Sequence, residues 1–352
     1  MSFPERFGSY LVYEQLGKGG MATVHRAERL NKDGSRTQVA LKRLLPAVAM
    51  NRHLVESFAA EARLLRYLDH SNIAQTYEHG KVVGGSYFIA MEYVPGPTLK
   101  QLIQDLPTRV GVIPNEVALG IIAQVCDALD HAHTRTDEHD RPLSIIHRDV
   151  CPSNIIISDT GFVKLIDFGL AKAKRMRMPE TGQGVIKGKY NYIAPEYLEE
   201  GDIDARADVW AMGVVLYELL TNRRLFDAPY PMETLTRLKS MPIPRPSLAN
   251  PRVPAEIDKI VMTALQRDPR RRYQSAAAMR EALWGVTTAP FVGYRQLAEW
   301  LRKAYDEEGG PTARFSKRAI TQPVTFPDEE TRPTIVETIA RGAKRLLRRQ
   351  SK

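Results

Sequence analysis

Ile145-Ile146-His147-Arg148-Asp149-Val150-Cys151-Pro152-Ser153-Asn154 brings an imidazole, a guanidinium, a carboxylate and a carboxamide into one short stretch ended by proline and polar residues. Downstream stand Lys164-Leu165-Ile166-Asp167-Phe168-Gly169 and then Ala194-Pro195-Glu196. A specific tripeptide turns up by chance in about 4% of chains this long, so one match carries little. Three in this order and at this spacing are not chance.

Working outward, residues 10 to 94 carry short β-like runs, Tyr10–Leu16, Ala22–Ala27, Thr37–Leu44, Ile73–Val83 and Ser86–Val94, several ending in glycine-containing turns. One helix interrupts them. Over residues 52–68, Leu54, Phe58, Leu65 and Leu68 recur at three-, four- and seven-residue spacings, and Glu61 lies in line with this apolar stripe. From residue 114 helices dominate, with 114–133, 207–220, 255–266, 275–284 and 293–306 as candidates. The run Val209–Tyr217 is nearly all apolar and should be central. A small β-rich lobe is followed by a larger helical one, and Met91-Glu92-Tyr93-Val94-Pro95-Gly96 is the natural hinge.

The loop Leu16-Gly17-Lys18-Gly19-Gly20-Met21-Ala22-Thr23-Val24 lies between two strand-like runs, where glycines would let backbone amides close over phosphate oxygens. A plain glycine-rich hairpin turn is the other account. Lys42 ends the apolar strand run Val39-Ala40-Leu41-Lys42; an edge lysine in water would look the same. Glu61, however, would be costly to bury without a cation, and pairing with Lys42 satisfies both.

At these residues the chain resembles the eukaryotic-type protein kinase family over roughly residues 8–285, and the Gly-Gly-Met loop and His-Arg-Asp-Val-x-Pro-x-Asn form resemble its bacterial Ser/Thr branch. The resemblance implies an α+β, two-lobed kinase fold. Residues 8–93 would be a small β-rich N-lobe with one main helix, 94–285 a larger α-helical C-lobe, 286–308 an appended helix, and 309–352 a basic linker with an amphipathic tail. It also implies ATP and Mg²⁺ as cofactors and transfer of the γ-phosphoryl group to Ser/Thr hydroxyls of protein substrates, including autophosphorylation. Gly17, Gly19 and Gly20 would cover the phosphates. Lys42, oriented by Glu61, would hold the α- and β-phosphates. Asp149 would accept or orient the hydroxyl proton, and Asn154 and Asp167 would ligate Mg²⁺. The adenine would bond backbone groups of Glu92 and Val94, sandwiched by Val24, Ala40 and Ile156, with Met91 as gatekeeper. An ordinary core role fits those apolar four equally well. His147, Phe168 and Leu65 look like members of the family's internal spine, so His147 is read as structural. Asp208 would brace the catalytic loop, and Glu196 would pair with Arg272.

The sequence departs from the family pattern in two neighbouring places. The lysine usual two residues after the catalytic aspartate is Cys151, and the threonine usual after Gly188 is Lys189. Lys189 would then supply the missing cation as a catalytic residue; drift toward inactivity is the alternative. A pseudokinase scaffold that binds nucleotide or partner proteins is accordingly the rival function. The segment 170–193 holds Thr181 as its one aliphatic hydroxyl, the expected phosphosite, with Arg148 and Lys172 as its receiving pocket.

The formal charge of +9 is local. Residues 309–352 hold ten bases against four acids, leaving 40 bases and 37 acids in the first 308. A body so near neutral argues against a specific nucleic-acid partner. Within the tail, 334–350 sets Ile335, Val336, Ile339, Ala343, Leu346 and Leu347 on one helical face and Arg341, Lys344, Arg345, Arg348 and Arg349 largely on the other. A partner or autoinhibitory contact is favoured over a membrane surface for it. Without a long apolar stretch or a leader pattern at Met1–Arg6, and with only two cysteines, the expected location is cytoplasmic.

Overall fold

An extended chain alternates its side chains between two faces, and in Arg36–Leu44 this sends Val39 and Leu41 to one side and Ala40 and Leu44 to the other. Lys42 shares the parity of Ala40 and Leu44. That strand is β4 of a six-stranded antiparallel sheet formed by β1 (Glu5–Phe7), β2 (Tyr10–Lys18), β3 (Ala22–Leu30), β4, β5 (Thr76–Lys81) and β6 (Tyr87–Glu92) in the order β1-β2-β3-β4-β6-β5. One face packs Phe7, Tyr10, Val12, Val39, Leu41 and Phe88 together. The other is covered by helix α2 (Arg52–Leu65), preceded by the short α1 (Pro46–Ala49), through Val55, Phe58 and Ala62 against Ala40, Ile89 and Met91. Asn51 starts α2 by accepting from the amides of His53 and Leu54, which satisfies two of the four orphan donors of a helix start.

The computed structural model describes residues 4–82, 85–109, 113–169, 189–199, 203–286 and 292–305. They divide into two compact units, 4–66 with 75–93 and 67–74 with 94–305. Residues 67–74 group with the second unit. The cause is their backbone bonding: Ala74 N–H donates to Leu165 O, Leu165 N–H donates to Asn72 O, and Arg135 caps the Tyr67 carbonyl at 2.8 Å. The strand expected from Ile73 therefore begins only at Thr76.

The second unit is helical: α3 (Leu99–Arg109), α4 (Asn115–Thr134), α5 (Arg206–Thr221), α6 (Pro231–Ser240), α7 (Pro246–Ala249), α8 (Ala255–Ala264), α9 (Ala276–Gly285) and α10 (Tyr294–Tyr305), with a small hairpin of β7 (Ile155–Ile157) and β8 (Val163–Leu165). Every residue of α5 after Arg206 is buried, as its unbroken apolar run requires of a central helix. It stops where Asn222 adopts φ 53°, a left-handed C-terminal cap. The appended helix α10 buries Leu297, Leu301, Ala304 and Tyr305. It meets the β7–β8 turn at Gly161, whose φ of 86° and whose bare Cα allow the Tyr294 carbonyl to approach where a Cβ would overlap it. Among the described residues, no helix is long and apolar enough to cross a membrane.

Candidate active site

In the first unit, Lys42 Nζ lies 3.1 Å from Glu61 Oε1, with the side chains 15% and 5% exposed. The strand's parity and the helix's stripe leave these two groups facing each other across an apolar layer, so each removes the other's burial penalty. Ala40 and Met91 are buried in that layer and Val24 packs against it; Glu92 ends β6 beside them. Gly17 lies near the end of β2, paired with Val24, and Gly19 and Gly20 form the turn to β3, closed by Gly19 N–H to Ala22 O at 2.8 Å. None of the three has the left-handed φ that favours glycine. A Cβ at Gly17 or Gly20 would touch nothing, and one at Gly19 would reach only Ala22 O at 3.6 Å. Among the described residues, neither backbone conformation nor packing calls for glycine there, although glycine raises the entropic cost of ordering the turn.

In the second unit the stretch that opened the reading folds around Asp208, a fully buried carboxylate at the start of α5. Its Oδ2 accepts from His147 N at 2.8 Å and its Oδ1 from Arg148 N at 2.9 Å, while His133 Nε2 lies 2.8 Å from Oδ2. Burial alone would raise this carboxyl. The His133 bond, the two neighbouring imidazoles and the Arg148 amide outweigh burial and hold it below the usual carboxylate range. The two amide bonds also hold Arg148 at φ 64°, a conformation that needs such over-determination in a non-glycine residue.

His147 is wholly buried, accepts at Nδ1 from Asp149 N (3.2 Å) and lies with Nε2 3.1 Å from Ile166 O. A neutral ring with the proton on Nε2 satisfies both contacts, and its face lies 4.4 Å from the Phe168 ring, centroid to centroid. Both nitrogens are engaged in holding the loop, which leaves no role for His147 as a base. Asp149 is held by Asn154, whose Nδ2 donates to the Asp149 carbonyl at 2.8 Å and to its Oδ2 at 2.9 Å. With both amide protons thus directed, the Asn154 oxygen is the atom left to meet a hard cation. Asp167 stands at φ 59°, and Ile166 N–H donates to Asn154 O, so the two oxygen-bearing residues are tied through the main chain. Ile156 lies in β7, Val94 is buried at the start of the unit, and Cys151 is buried beside the loop.

Downstream, Glu196 and Arg272 form a two-pronged pair at 2.7 and 2.6 Å. Arg272 also donates to the carbonyls of Gln266, Arg206 and Arg267. The turn Lys189–Tyr192 is anchored by the Tyr192 hydroxyl, which donates to Glu218 Oε2 at 2.8 Å. Burial pushes the Glu218 carboxyl up to about 7 and raises the Tyr192 phenol as well.

His133, Glu218 and Tyr192 went unread in the sequence. An isolated histidine or glutamate inside an apolar helix carries no motif, and only the three-dimensional neighbours of Asp208 and Tyr192 disclose them. The side chain of Lys189, together with Lys172, Thr181, Gly188 and the tail 309–352, lies outside the described residues. Among the described residues no group of three or more His, Cys, Asp or Glu gathers to hold a metal ion. A site made by one carboxylate, one carboxamide and a ligand's own oxygens is of another kind.

Comparison with known proteins covers nearly the same span. The protein kinase domain family matches residues 10–284. Tyrosine-protein kinase MasK of Myxococcus xanthus is 38% identical over 315 residues, covering 89% of this chain and 48% of that protein. Serine/threonine-protein kinase Pkn1 of Myxococcus xanthus is 36% identical over 79% of this chain and 38% of its own length, and serine/threonine-protein kinase PknB of Mycobacterium leprae is 35% identical over 80% and 43%. The chain thus spans less than half the length of these curated relatives. The crystal structure of the Mycobacterium tuberculosis PknI kinase domain superposes with a TM-score of 0.59 at 26% identity, covering 81% of this chain and 98% of that domain.

Proposed function

Because the chain belongs to the protein kinase family, we propose that it transfers the γ-phosphoryl group of ATP to serine and threonine hydroxyls of proteins, its own among them. Such transfer demands alignment of nucleotide and hydroxyl and cations against the charge on the transferring group. Lys42, held by Glu61, is assigned to the α- and β-phosphates, and the backbone of Gly17, Gly19 and Gly20 to covering them. The adenine is assigned to backbone groups of Glu92 and Val94 and to the side chains of Val24, Ala40, Ile156 and Met91. Asn154 and Asp167 would hold Mg²⁺, which neutralises phosphate charge when bound. Asp149 orients the attacking hydroxyl and accepts its proton.

The observation that carries this reading is the Asn154 amide. It donates to both the main chain and the carboxylate of Asp149 and so keeps the base aimed while its own oxygen is left for a cation. The three glycines that nothing among the described residues requires are a second support. Hydroxyl class rests on relatives of both names, Ser/Thr for Pkn1 and PknB and tyrosine for MasK, and on the His-Arg-Asp-Val-x-Pro-x-Asn form.

Cys151 favours the rival reading as a scaffold, since it removes a cation. In the catalytic reading Lys189 restores that charge, and Thr181 is the regulatory phosphosite. The tail 334–350 is assigned to a contact with a partner or with the kinase itself, and two free, buried cysteines fit a reducing cytoplasm. Incubation with γ-labelled ATP followed by phosphoamino-acid analysis tests the whole. Label on serine and threonine, lost in Asp149→Asn, is expected. No label on wild type, or equal label on Asp149→Asn, overturns catalysis, and label on tyrosine alone overturns the hydroxyl class.

A further inference from the structure

Beneath the catalytic loop is a cavity of about 10 Å³ lined by Arg148, Asp149, Tyr192, Tyr197 and Asp208 among others, all within the second unit. Two of its walls carry polar atoms that are buried and, among the described residues, make no hydrogen bond: Arg148 Nε and Tyr197 Oη. They belong to opposite sides of the site's frame. Arg148 sits in the loop that carries Asp149, and Tyr197 follows Glu196, which Arg272 locks in place. A buried N–H and a buried hydroxyl each cost free energy unless paired, and a polar cavity of this size accommodates one water with two or more such partners.

We propose that Tyr197 is a positioning residue for the catalytic loop: its hydroxyl and the Arg148 Nε–H share one bound water in this cavity. The water ties the Arg148 side chain to the locked segment after Pro195, and so steadies the main chain that presents Asp149. The Asp208 carboxylate does the same for the Arg148 amide from the other side, at 2.9 Å. Backbone and side chain of one left-handed arginine are then both fixed, and the residue that follows it is the base. Tyr197 touches neither nucleotide nor acceptor in this account and acts only through Arg148.

The inference rests on the phosphoryl-transfer reading, and a double-mutant cycle in the full chain tests it. Tyr197→Phe keeps the ring and removes the hydroxyl; Arg148→Lys keeps the charge and removes Nε. The rate of autophosphorylation at saturating ATP should fall roughly 3–10-fold in Tyr197→Phe, with the ATP concentration for half-maximal rate unchanged within about two-fold. The double variant should be no slower than the slower single, because both changes break one bridge. A merely structural tyrosine would lower the denaturant midpoint and leave these rates and their coupling alone. Tyr197→Phe at wild-type rate, or losses that multiply independently in the double variant, would overturn the inference while Asp149→Asn stays dead and the kinase reading stands. An inactive wild type indistinguishable from Asp149→Asn would instead overturn the kinase reading and the positioning role with it.

Discussion

The two units each bury an ion pair, and they build it differently. Arg272 places all five of its N–H groups on acceptors, two on the Glu196 carboxylate and three on backbone carbonyls, with its side chain fully buried. Lys42 Nζ lies 3.1 Å from Glu61 Oε1, and 15% of its side chain is exposed. A guanidinium saturated by the chain has no donor left for a ligand, whereas an ammonium is a compact charge with three rotatable donors that can be shared. The difference separates architecture from chemistry among residues that look equally buried and equally charged in sequence.

Breaking the saturated pair should have the largest effect. Arg272→Ala leaves Glu196 and three carbonyls without their donor, and stability should fall by about 3–5 kcal/mol, read from urea unfolding. Arg272→Lys should recover only part of this, because three donors cannot replace a planar fork. A loss below about 1 kcal/mol, the range of an exposed pair, would refute the architectural reading.

Breaking the Lys42–Glu61 pair should instead strike catalysis. Lys42→Met should lower autophosphorylation about 10²–10³-fold, as removal of one charge-stabilising donor does elsewhere. Its unfolding should stay cooperative, and its loss of stability should be smaller than that of Arg272→Ala, since Glu61 can take up a proton. Wild-type transfer by Lys42→Met, or unfolding more severe than that of Arg272→Ala, would dissolve the contrast between the two pairs.

Much of this contrast is legible in the sequence. The parity of Val39-Ala40-Leu41-Lys42 and the place of Glu61 on its stripe bring the two charges together, and Glu196 and Arg272 pair as the family resemblance implies. The small β-rich part before a larger helical one and the buried α5 also follow from periodicity. What stayed hidden is what depends on contacts distant in sequence. Residues 67–74 join the second unit because their backbone groups bond Leu165, a pairing that no local pattern announces. His133 reaches Asp208 across 75 residues and Tyr192 reaches Glu218 from outside the helix, and both read in sequence as ordinary polar interruptions.

Glu218 extends the comparison to a third buried charge, one with no cation within ion-pair distance among the described residues, and its expected effect is the smallest. The Tyr192 hydroxyl meets its Oε2, its Oε1 makes no hydrogen bond of ordinary geometry among the described residues, and it is 3% exposed. Burial raises the carboxyl from 4.5 to about 7, a shift that the Tyr192 bond and the charge of Arg224 only moderate. Between those two values the unfolded chain has lost the proton while the folded chain keeps it, so stability falls as pH rises from 4.5 and levels off above 7. Glu218→Gln removes that proton linkage. It should therefore stabilise the fold relative to wild type by about 1–2 kcal/mol at pH 8, less than the full shift implies because the amide is buried too, and the gain should shrink toward zero near pH 5. Urea midpoints of the two proteins at both pH values provide the check. A gap that is the same at pH 5 and pH 8 would mean that Glu218 titrates normally, and that a buried carboxylate here needs neither Arg272's saturation nor Lys42's company.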